Sequence, residues 1–421
     1  MSTLYTQNLA LALKALQATE ADLTALLLAA AGRIETFVEE VGNDAHPTFN
    51  SALHSKSEVV RAVSGWHEKF EHVVLLGMGG SSLGARVIAH FADAANLRQP
   101  RLHLLDYIDP VAVESVLSQL PLNKTGVVVI SKSGGTLETM AQALLLAEAY
   151  TTAKVKLANH WVAVTEEKNN PLRQFAAHHK IPTLAHHAAL GGRYSVSGET
   201  GVLAALVKGV DVPAFHTGMR HVMNTFLENP ISCPPAMGAA LHALAKTQGK
   251  TNTVLYSYGE SFRFVPAWFE QLWAESLGKN GQGTTPVGAV GPGSQHSIQQ
   301  LFLDGPADKL FTVLLPLSAG WGKEIPVPAN PFVPALNGLH LGTLQQAMGE
   351  GTVAALAARK HPVRTLTVAK LNAQTLGAIL MHFMLETVLT AAIWGINPFD
   401  QPAVEESKQQ SLKALAALQK A

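Results

Sequence analysis

The chain has 421 residues, of which 47% are hydrophobic. That length and apolar content predict a sizeable core divided over about two or three domains. Lysine plus arginine equals aspartate plus glutamate, at 31 each. This balance excludes binding to a nucleic-acid backbone or an anionic membrane by overall charge, so we expect neither among the partners. An anionic ligand must instead be bound by local geometry.

The cysteine content indicates a reducing compartment, and the most apolar segment is interpreted as a buried helix. Cys233 is the only cysteine, which excludes an intramolecular disulfide and a cysteine-cluster metal site and predicts a reducing, cytoplasmic location. The first residues lack the basic and apolar stretches of a secretory signal. The apolar run 376–396 contains His382 and Glu386 one helical turn apart. Because charges are costly inside a membrane, we predict a buried helix there.

The chain begins with leucine and alanine at helical spacing, which predicts a helical N-terminal segment over residues 1–45. From residue 72, short apolar runs alternate with segments long enough for a helix. This pattern is typical of parallel strands covered by helices on both faces. The apolar runs, which we assign to a first α/β domain over residues 46–200, are HVVLLG, RLHLLDY, TGVVVIS and HWVAVT.

A second series of apolar runs follows a long helical stretch. We assign it to a second α/β domain over residues 201–370, with the runs TNTVLYS, TTPVGAV, KLFTVLLPL and VRTLTVA. Both domains are predicted to be doubly wound parallel sheets with right-handed crossovers. Residues 371–421 predict a C-terminal helical segment, in which an Asn-Pro-Phe-Asp break separates two helices.

The first apolar run ends in the glycine-rich stretch GMGGSSLG, residues 77–84, which includes Gly80 and Ser81. A predicted helix follows, so free backbone N–H groups and the helix dipole favour an anion here. Two alternatives are a tight turn that lets strand and helix pack closely and a dinucleotide-binding turn. The dinucleotide motif fits poorly, because no glycine stands three residues after Gly79.

The third apolar run ends in SKSGGTLET, residues 131–139, where hydroxyl and backbone N–H groups again precede a predicted helix. This combination offers a phosphate-sized cradle. The spacing does not match the Walker loop, so nucleoside triphosphate binding is not predicted. The alternative is a simple helix N-cap, which Thr136 alone could supply.

Polar side chains with catalytic potential follow in the two domains. Arg193 comes after a glycine pair and can stabilise an oxyanion, or it can form an ordinary surface ion pair. Gln271, Glu275 and Lys279 fall on one predicted helical face at successive steps of four residues. The alternative for Glu275 and Lys279 is a surface ion pair between them.

Two further titratable residues follow, one in the second domain and one near the end of the chain. His296, in GPGSQHS, lies at a predicted turn before a helix, where it can titrate near neutrality or cap the helix. Lys408 lies in the final helix, and by itself it is typical of a solvated helix charge. Neither pattern alone assigns a function.

Taken in order, six segments between about residues 72 and 408 resemble the glucose-6-phosphate isomerase family. They are GMGGSSLG, SKSGGTLET, GGRYSV, QLWAESLGKNG, GPGSQHSIQQ and INPFDQPAVEESK. The resemblance implies two sugar-isomerase (SIS) domains of doubly wound α/β type. It implies reversible isomerisation of glucose-6-phosphate and fructose-6-phosphate through an enediol, in glycolysis and gluconeogenesis. It further implies no metal, no organic cofactor, and a homodimer with shared active sites.

The resemblance also implies which residues bind the substrate. The sugar phosphate is expected to contact Ser131, Lys132, Ser133 and Thr136. The sugar is expected to be lined by Gly80, Ser81 and Gln271.

The same resemblance implies the catalytic roles. Glu275 is expected to move a proton between C1 and C2, and Arg193 to steady the enediolate. His296, from the neighbouring subunit, and Lys408 are expected to assist ring opening. This division matches the chemistry, since isomerisation needs a carboxylate near the C–H bond and a cation near the developing oxyanion.

Two rival interpretations stay open. One is a regulator that binds a phosphosugar with the same fold but performs no chemistry, and Glu275, His296 and Lys408 argue against it. The other is an isomerase that also accepts mannose-6-phosphate. The configuration at C2 is decided by pocket shape, which the sequence does not display.

Overall fold

The computed structural model describes residues 4–50, 57–94, 100–326 and 333–419. Within these residues the chain forms two five-stranded sheets. Their ten strands, in chain order, are β1 (Thr6–Asn8), β2 (His72–Leu76), β3 (Arg101–Leu105), β4 (Thr125–Ile130), β5 (Trp161–Thr165), β6 (Thr183–Ala185), β7 (Asn252–Tyr258), β8 (Thr285–Gly291), β9 (Lys309–Pro316) and β10 (Val363–Val368).

Helices cover both sheets and form a layer of their own. The seventeen α-helices of the described residues are α1 (Ala10–Ala15), α2 (Glu20–Ala29), α3 (Ala31–Gly42), α4 (Ser57–Ala62), α5 (Trp66–Lys69), α6 (Leu83–Ala94), α7 (Pro110–Gln119), α8 (Leu137–Thr152), α9 (Pro171–His178), α10 (Glu199–Val207), α11 (Val212–Glu228), α12 (Pro234–Thr247), α13 (Val265–Leu277), α14 (Gln299–Asp304), α15 (Leu341–Ala358), α16 (Ala373–Trp394) and α17 (Val404–Leu418).

The first sheet is parallel throughout and has the strand order β3-β2-β4-β5-β6. The winding direction reverses between β2 and β4, because β3 lies on one side of β2 and β4 on the other. In open α/β sheets, ligands bind beyond the carboxyl ends of the strands at such a switch point. The predicted binding loops 77–84 and 131–139 follow β2 and β4, so both lie at this point.

The second sheet has the order β1-β10-β9-β7-β8, in which β7 to β10 are parallel. At its edge, β1 runs antiparallel to β10, with Thr6 opposite Thr367. A strand within residues 1–45 departs from the predicted helical segment. β1 is a strand because it pairs with the distant strand β10. A segment of only three residues is too short to show a pattern that would predict this pairing.

The strands at the centre of each sheet are buried on both faces, as parallel strands covered by helices should be. Every residue of β4, β5 and β9 is buried. The predicted class, with two doubly wound α/β sheets, is therefore confirmed.

Helix α16 forms the centre of the helical layer, where it packs against α11, α12 and α13. Among the described helices, it is the one long and apolar enough to cross a membrane. Its residues from Thr375 to Ala391 are all buried inside the protein. The prediction of a buried helix around His382 and Glu386 is therefore confirmed.

The charges of α16 are neutralised by a buried cluster. Arg364 donates two hydrogen bonds to the Glu386 carboxylate, and His382 Nε2 lies 3.1 Å from it. Burial alone would raise the pKa of Glu386, but the charge of Arg364 and hydrogen bonds from His242, His382 and Arg364 hold that pKa well below its usual range. A carboxylate can thus stay ionised in the core because it is fully paired.

Candidate active site

The loop between β4 and α8 is shaped by the side chain of Ser131. Its Oγ accepts a hydrogen bond from Gly134 N at 3.1 Å and lies 2.9 Å from Thr136 Oγ1. Gly134 has a φ of +69°, and a Cβ there would stand 1.9 Å from Asn170 Oδ1, so the turn requires glycine. The loop is held by internal hydrogen bonds, while the side chain of Ser133 stays exposed.

Helix α8 begins directly after this loop, with Thr136 as its N-cap residue. The Thr136 side chain makes no capping hydrogen bond, since its hydroxyl lies against Ser131 instead. The first N–H groups of a 16-residue helix therefore lack a side-chain cap, and together with the helix dipole they attract an anion. The alternative in which the Thr136 side chain caps the helix is therefore wrong, and the phosphate cradle stays a prediction.

Lys132 adds a positive charge to the same loop. Its Nζ donates to Ala188 O at 2.5 Å and lies 4.0 Å from Glu166 Oε1. Burial lowers the pKa of Lys132, an effect that the charge of Glu166 opposes. An ammonium group has three donors, so Lys132 can still donate to a phosphate oxygen.

The glycine-rich loop after β2 packs directly on the backbone of the turn that contains Arg193. A Cβ on Gly80 would stand 2.1 Å from the carbonyl carbon of Gly192. Ser195 Oγ fixes the contact by donating to Gly80 O at 3.0 Å. The loop is therefore a closely packed turn, as one of the alternatives predicted. The same contact also brings Gly80 and Ser81 towards Arg193.

The Glu275 carboxylate is held at both of its oxygens. Gln271 Nε2 donates to Oε1 at 3.0 Å, and Arg193 Nη1 donates to Oε2 at 3.2 Å. The Glu275 side chain is 31% exposed, so a ligand can reach it. Gln271 itself packs against Gly79, and its Oε1 is buried without a hydrogen-bond donor among the described residues. That oxygen is available to a sugar hydroxyl.

All five N–H groups of Arg193 donate to protein acceptors. Besides Glu275, the acceptors are Ser276 Oγ at 2.9 Å, Gln401 Oε1 at 2.7 Å, Pro398 O at 2.6 Å and Asp400 O at 2.9 Å. The side chain is almost completely buried. The surface ion-pair alternative for Arg193 is therefore wrong. For Arg193 to donate to an enediolate, one of these acceptors has to be exchanged.

Gln401 was not singled out from the sequence. It stands in the quoted segment INPFDQPAVEESK, but nothing in its spacing connects it with Arg193, which lies more than two hundred residues earlier. The fold brings them together because the segment between α16 and α17 passes over the guanidinium. The signal that could have identified Gln401 is its position within a segment that resembles the family.

Lys279 does not lie on the helical face predicted for it. Helix α13 ends at Leu277, with Gly278 as its C-cap. Lys279 lies beyond the helix, so a spacing of four residues does not place it on the same face as Glu275. Lys279 Nζ instead donates to Asn397 O and lies 2.8 Å from Asp400 Oδ1. The alternative of a surface ion pair between Glu275 and Lys279 is therefore wrong.

Among the described residues, the hydrogen bonds and ion pair of the Glu275 carboxylate are made by Gln271 and Arg193 and not by His296 or Lys408. His296 closes a 3-10 turn after β8 and is exposed, without a hydrogen bond or ion pair to any described residue. Lys408 lies on α17 with its side chain 65% exposed, and its Nζ is 3.4 Å from Glu405 Oε2. The ring-opening roles of both residues stay predictions.

Two α/β sheets whose central strands are parallel, a glycine- and hydroxyl-rich loop at the first switch point and a carboxylate held by an amide and a guanidinium are the features expected of aldose–ketose isomerases with sugar-isomerase domains. Residues 15–310 match the family model described as phosphoglucose isomerase. The chain belongs to the phosphoglucose isomerase family.

Individual relatives agree with this assignment over most of their length. The chain is 32% identical over 370 residues to the probable glucose-6-phosphate isomerase of Methanococcus maripaludis, covering 86% of this chain and 82% of that protein. It is 35% identical over 369 residues to the glucose-6-phosphate isomerase of Thermus thermophilus, covering 85% and 86%. The crystal structure of a hypothetical protein from Thermus thermophilus superposes with a TM-score of 0.88 at 31% identity, covering 98% and 100%. The family and the enzyme class expected from the sequence are confirmed.

Proposed function

We propose that this protein interconverts glucose-6-phosphate and fructose-6-phosphate through an enediol, as a step of glycolysis and gluconeogenesis. The observation that carries the proposal is the Glu275 carboxylate, which Gln271 and Arg193 hold beside the glycine-rich loop after β2. A positioned carboxylate is the general base that aldose–ketose isomerisation requires. The described residues contain no cluster of histidine, cysteine and acidic side chains arranged for a metal ion, and the proposed steps use none.

The substrate phosphate binds in the loop after β4, and the sugar extends towards α13. The phosphate contacts come from Ser131, Lys132, Ser133 and Thr136, and the sugar contacts from Gly80, Ser81 and Gln271. Support comes from the uncapped start of α8 and the half-buried Lys132 beside it. The buried Oε1 of Gln271 supplies an acceptor for a sugar hydroxyl.

The chemical step is a proton transfer at carbon. Glu275 removes the proton from C2 of the open-chain aldose, and the carbonyl oxygen at C1 takes up the negative charge. A proton then passes from the C2 hydroxyl to the C1 oxygen, and Glu275 returns its proton to C1, which leaves the carbonyl at C2 of the ketose. Arg193 stabilises the charged intermediate by exchanging one of its present acceptors for the substrate oxygen. Its Nη1, shared by Glu275 and Gln401, is the nitrogen nearest to the reaction.

Ring opening and assembly belong to the same proposal. His296 and Lys408 assist ring opening, with His296 supplied by the second subunit of a homodimer that works in the cytoplasm. His296 is exposed at the end of a 3-10 turn, and this accessibility supports a role across a subunit interface.

The test is a coupled assay of purified protein with fructose-6-phosphate, with mannose-6-phosphate assayed alongside. We expect isomerase turnover in the native protein. Glu275→Gln should lower kcat by about 10²- to 10⁴-fold, as loss of general-base catalysis does, while substrate still binds. The control is Glu228→Gln, an exposed position at the end of α11, which should keep the native turnover. Near-native kcat in Glu275→Gln would remove this residue from the mechanism, whereas substrate binding without turnover in the native protein would favour the regulator.

A further inference from the structure

Residues 397–401, which join α16 to α17, form a segment that we call the strap. Arg193 binds its main chain, donating to Pro398 O at 2.6 Å and to Asp400 O at 2.9 Å. Its last residue, Gln401, accepts from Arg193 Nη1 at 2.7 Å. The strap therefore lies directly against the guanidinium that contacts Glu275.

Lys279 binds the same strap from the end of α13. Its Nζ donates to Asn397 O and lies 2.8 Å from Asp400 Oδ1, so it bridges the first and fourth residues of the strap. Only 11% of the Lys279 side chain is exposed, although Asp400 is about half exposed. Since α13 ends at Leu277, the chain turns Lys279 away from Glu275 and onto the strap.

The position of the strap matters because Arg193 has no spare N–H group. Three of its five hydrogen bonds end on Pro398, Asp400 and Gln401. If the strap shifts, these buried donors lose their acceptors, which is costly for a charged group. The guanidinium must then reorient, and its hydrogen bond to Glu275 Oε2 changes with it.

Other contacts hold the middle of the strap. The ring of His46 stacks on Phe399 with centroids 3.9 Å apart, and Tyr194 Oη donates to Pro398 O at 3.4 Å. These contacts keep the strap against the body of the protein but leave Asn397 O and Asp400 Oδ1 to Lys279. Asn397 Nδ2 also donates to Asp400 Oδ2 at 3.1 Å, and Lys279 ties this pair of strap residues to the end of α13.

We propose that Lys279 is a positioning residue for the isomerisation, acting through the strap on Arg193 and thereby on the Glu275 carboxylate. The inference rests on the proposed function, in which Glu275 is the base. Lys279 does not contact the reacting atoms. It fixes the segment whose acceptors orient the guanidinium.

The charge of Lys279 gives this role a signature in the pH profile. Burial lowers the pKa of Lys279, while the hydrogen bond and charge of Asp400 oppose that effect; Arg193 also lowers it and Glu275 raises it. As the pH rises through this pKa, the ion pair with Asp400 is lost and the strap is released. Arginine stays charged over the whole range, so Lys279→Arg should keep its activity to higher pH than the native enzyme.

The experiment compares kcat, KM and pH profiles of the native enzyme, Lys279→Gln, Lys279→Arg and Asp400→Asn. Lys279→Gln should lower kcat by about 10- to 100-fold with little change in KM, as a small misplacement of a catalytic group does. Asp400→Asn should also lower kcat. Lys279→Arg should recover most of the activity.

Lys309→Gln is the matched control. Lys309 is also buried, and its Nζ likewise binds a carbonyl and a carboxylate, Pro306 O at 2.9 Å and Asp308 Oδ1 at 2.6 Å. It lies at the start of β9 and makes no contact with the strap. Its loss should affect thermal unfolding as the loss of Lys279 does, yet leave kcat unchanged.

The outcomes separate this inference from the proposed function. If the native protein is active and Lys279→Gln has the same kcat, the role of Lys279 is overturned and the proposed isomerase function is unaffected. An equal loss of kcat in Lys309→Gln overturns it as well. An inactive native protein overturns the proposed function itself. If Lys279→Gln does not fold, native kcat in Asp400→Asn or an unshifted alkaline limb in Lys279→Arg overturns the inference.

Discussion

Some residues of the loop between β4 and α8, the proposed phosphate site, shape the loop and others face solvent. Ser131 is buried and bound to Gly134 and Thr136, so its replacement would change the loop itself. Ser133 is exposed, and an aspartate can be placed there without disturbing the core. Ser133 Oγ accepts one hydrogen bond within the loop, from Gly135 N at 3.3 Å, and a carboxylate oxygen can accept it as well, so Ser133→Asp should mainly test phosphate binding. We expect the KM for fructose-6-phosphate to rise at least about tenfold, equivalent to about 1.4 kcal/mol of lost binding, because the carboxylate repels the phosphate.

Steady-state kinetics of Ser133→Asp, Ser133→Ala and Ser118→Asp measure this effect. Ser118 is exposed on α7, so Ser118→Asp makes the same charge change outside the loop and should leave KM unaltered. Ser133→Ala should raise KM less than Ser133→Asp, since it removes a contact without adding charge. An equal rise in KM for both aspartate variants would assign the effect to net charge and remove Ser133 from the site.

At the scale of elements, the loop after β2 and the turn that carries Arg193 meet through backbone contact, and the contact is asymmetric. A Cβ on Gly80 would stand 2.1 Å from the carbonyl carbon and 2.3 Å from the carbonyl oxygen of Gly192. A Cβ on Gly192 would meet Gly80 Cα at 3.7 Å, an ordinary contact. Gly80→Ala should therefore separate the loop after β2 from the turn that carries Arg193. We expect kcat/KM to fall by about 100-fold or more, as a displacement of about 1 Å can cause.

Gly192→Ala is the partner variant, with the same chemical change on the other side of the contact. It should retain kcat/KM close to that of the native enzyme, and both variants are to be checked for folding by circular dichroism. Equal losses in Gly80→Ala and Gly192→Ala would show that the contact between the loops is not what limits activity.

At the scale of the whole molecule, the proposed mechanism takes His296 from a second chain. A two-fold interface repeats each contact reciprocally, so each site would contain Glu275 from one chain and His296 from the other. A heterodimer of Glu275→Gln and His296→Ala chains then carries one site with both changes and one with neither. Mixing the two inactive variants should restore about a quarter of the native activity, because half of the dimers are mixed and half of their sites intact.

Subunit exchange is measured independently by tagging one of the two chains and isolating the mixed dimer. Each variant incubated with itself under the same conditions is the control and should stay inactive. If isolated heterodimers show no activity, either His296 serves the site of its own chain or the dimer is not the working unit, and the shared site is ruled out.

Much of the fold could be predicted from local patterns. Short apolar runs separated by helix-length segments indicate parallel sheets because both faces of such strands are buried, and β4, β5 and β9 are buried throughout. The strand β1 could not be predicted in this way, because it exists through its pairing with β10. The end of α13 before Lys279 was missed for a different reason: a helical spacing was extended past a glycine that ends the helix.

The sequence by itself determined which residue types are present and which local structure carries them. The glycine- and hydroxyl-rich loops follow strands and precede helices, and Gln271 and Glu275 share one turn of α13, because strand burial, loop chemistry and helical spacing act over a few residues. Only the tertiary structure decided the partners of Arg193 and Lys279. Their acceptors on the strap lie more than a hundred residues away along the chain. Buried donors must find acceptors wherever packing places them, so these contacts depend on how the two sheets and α16 pack together.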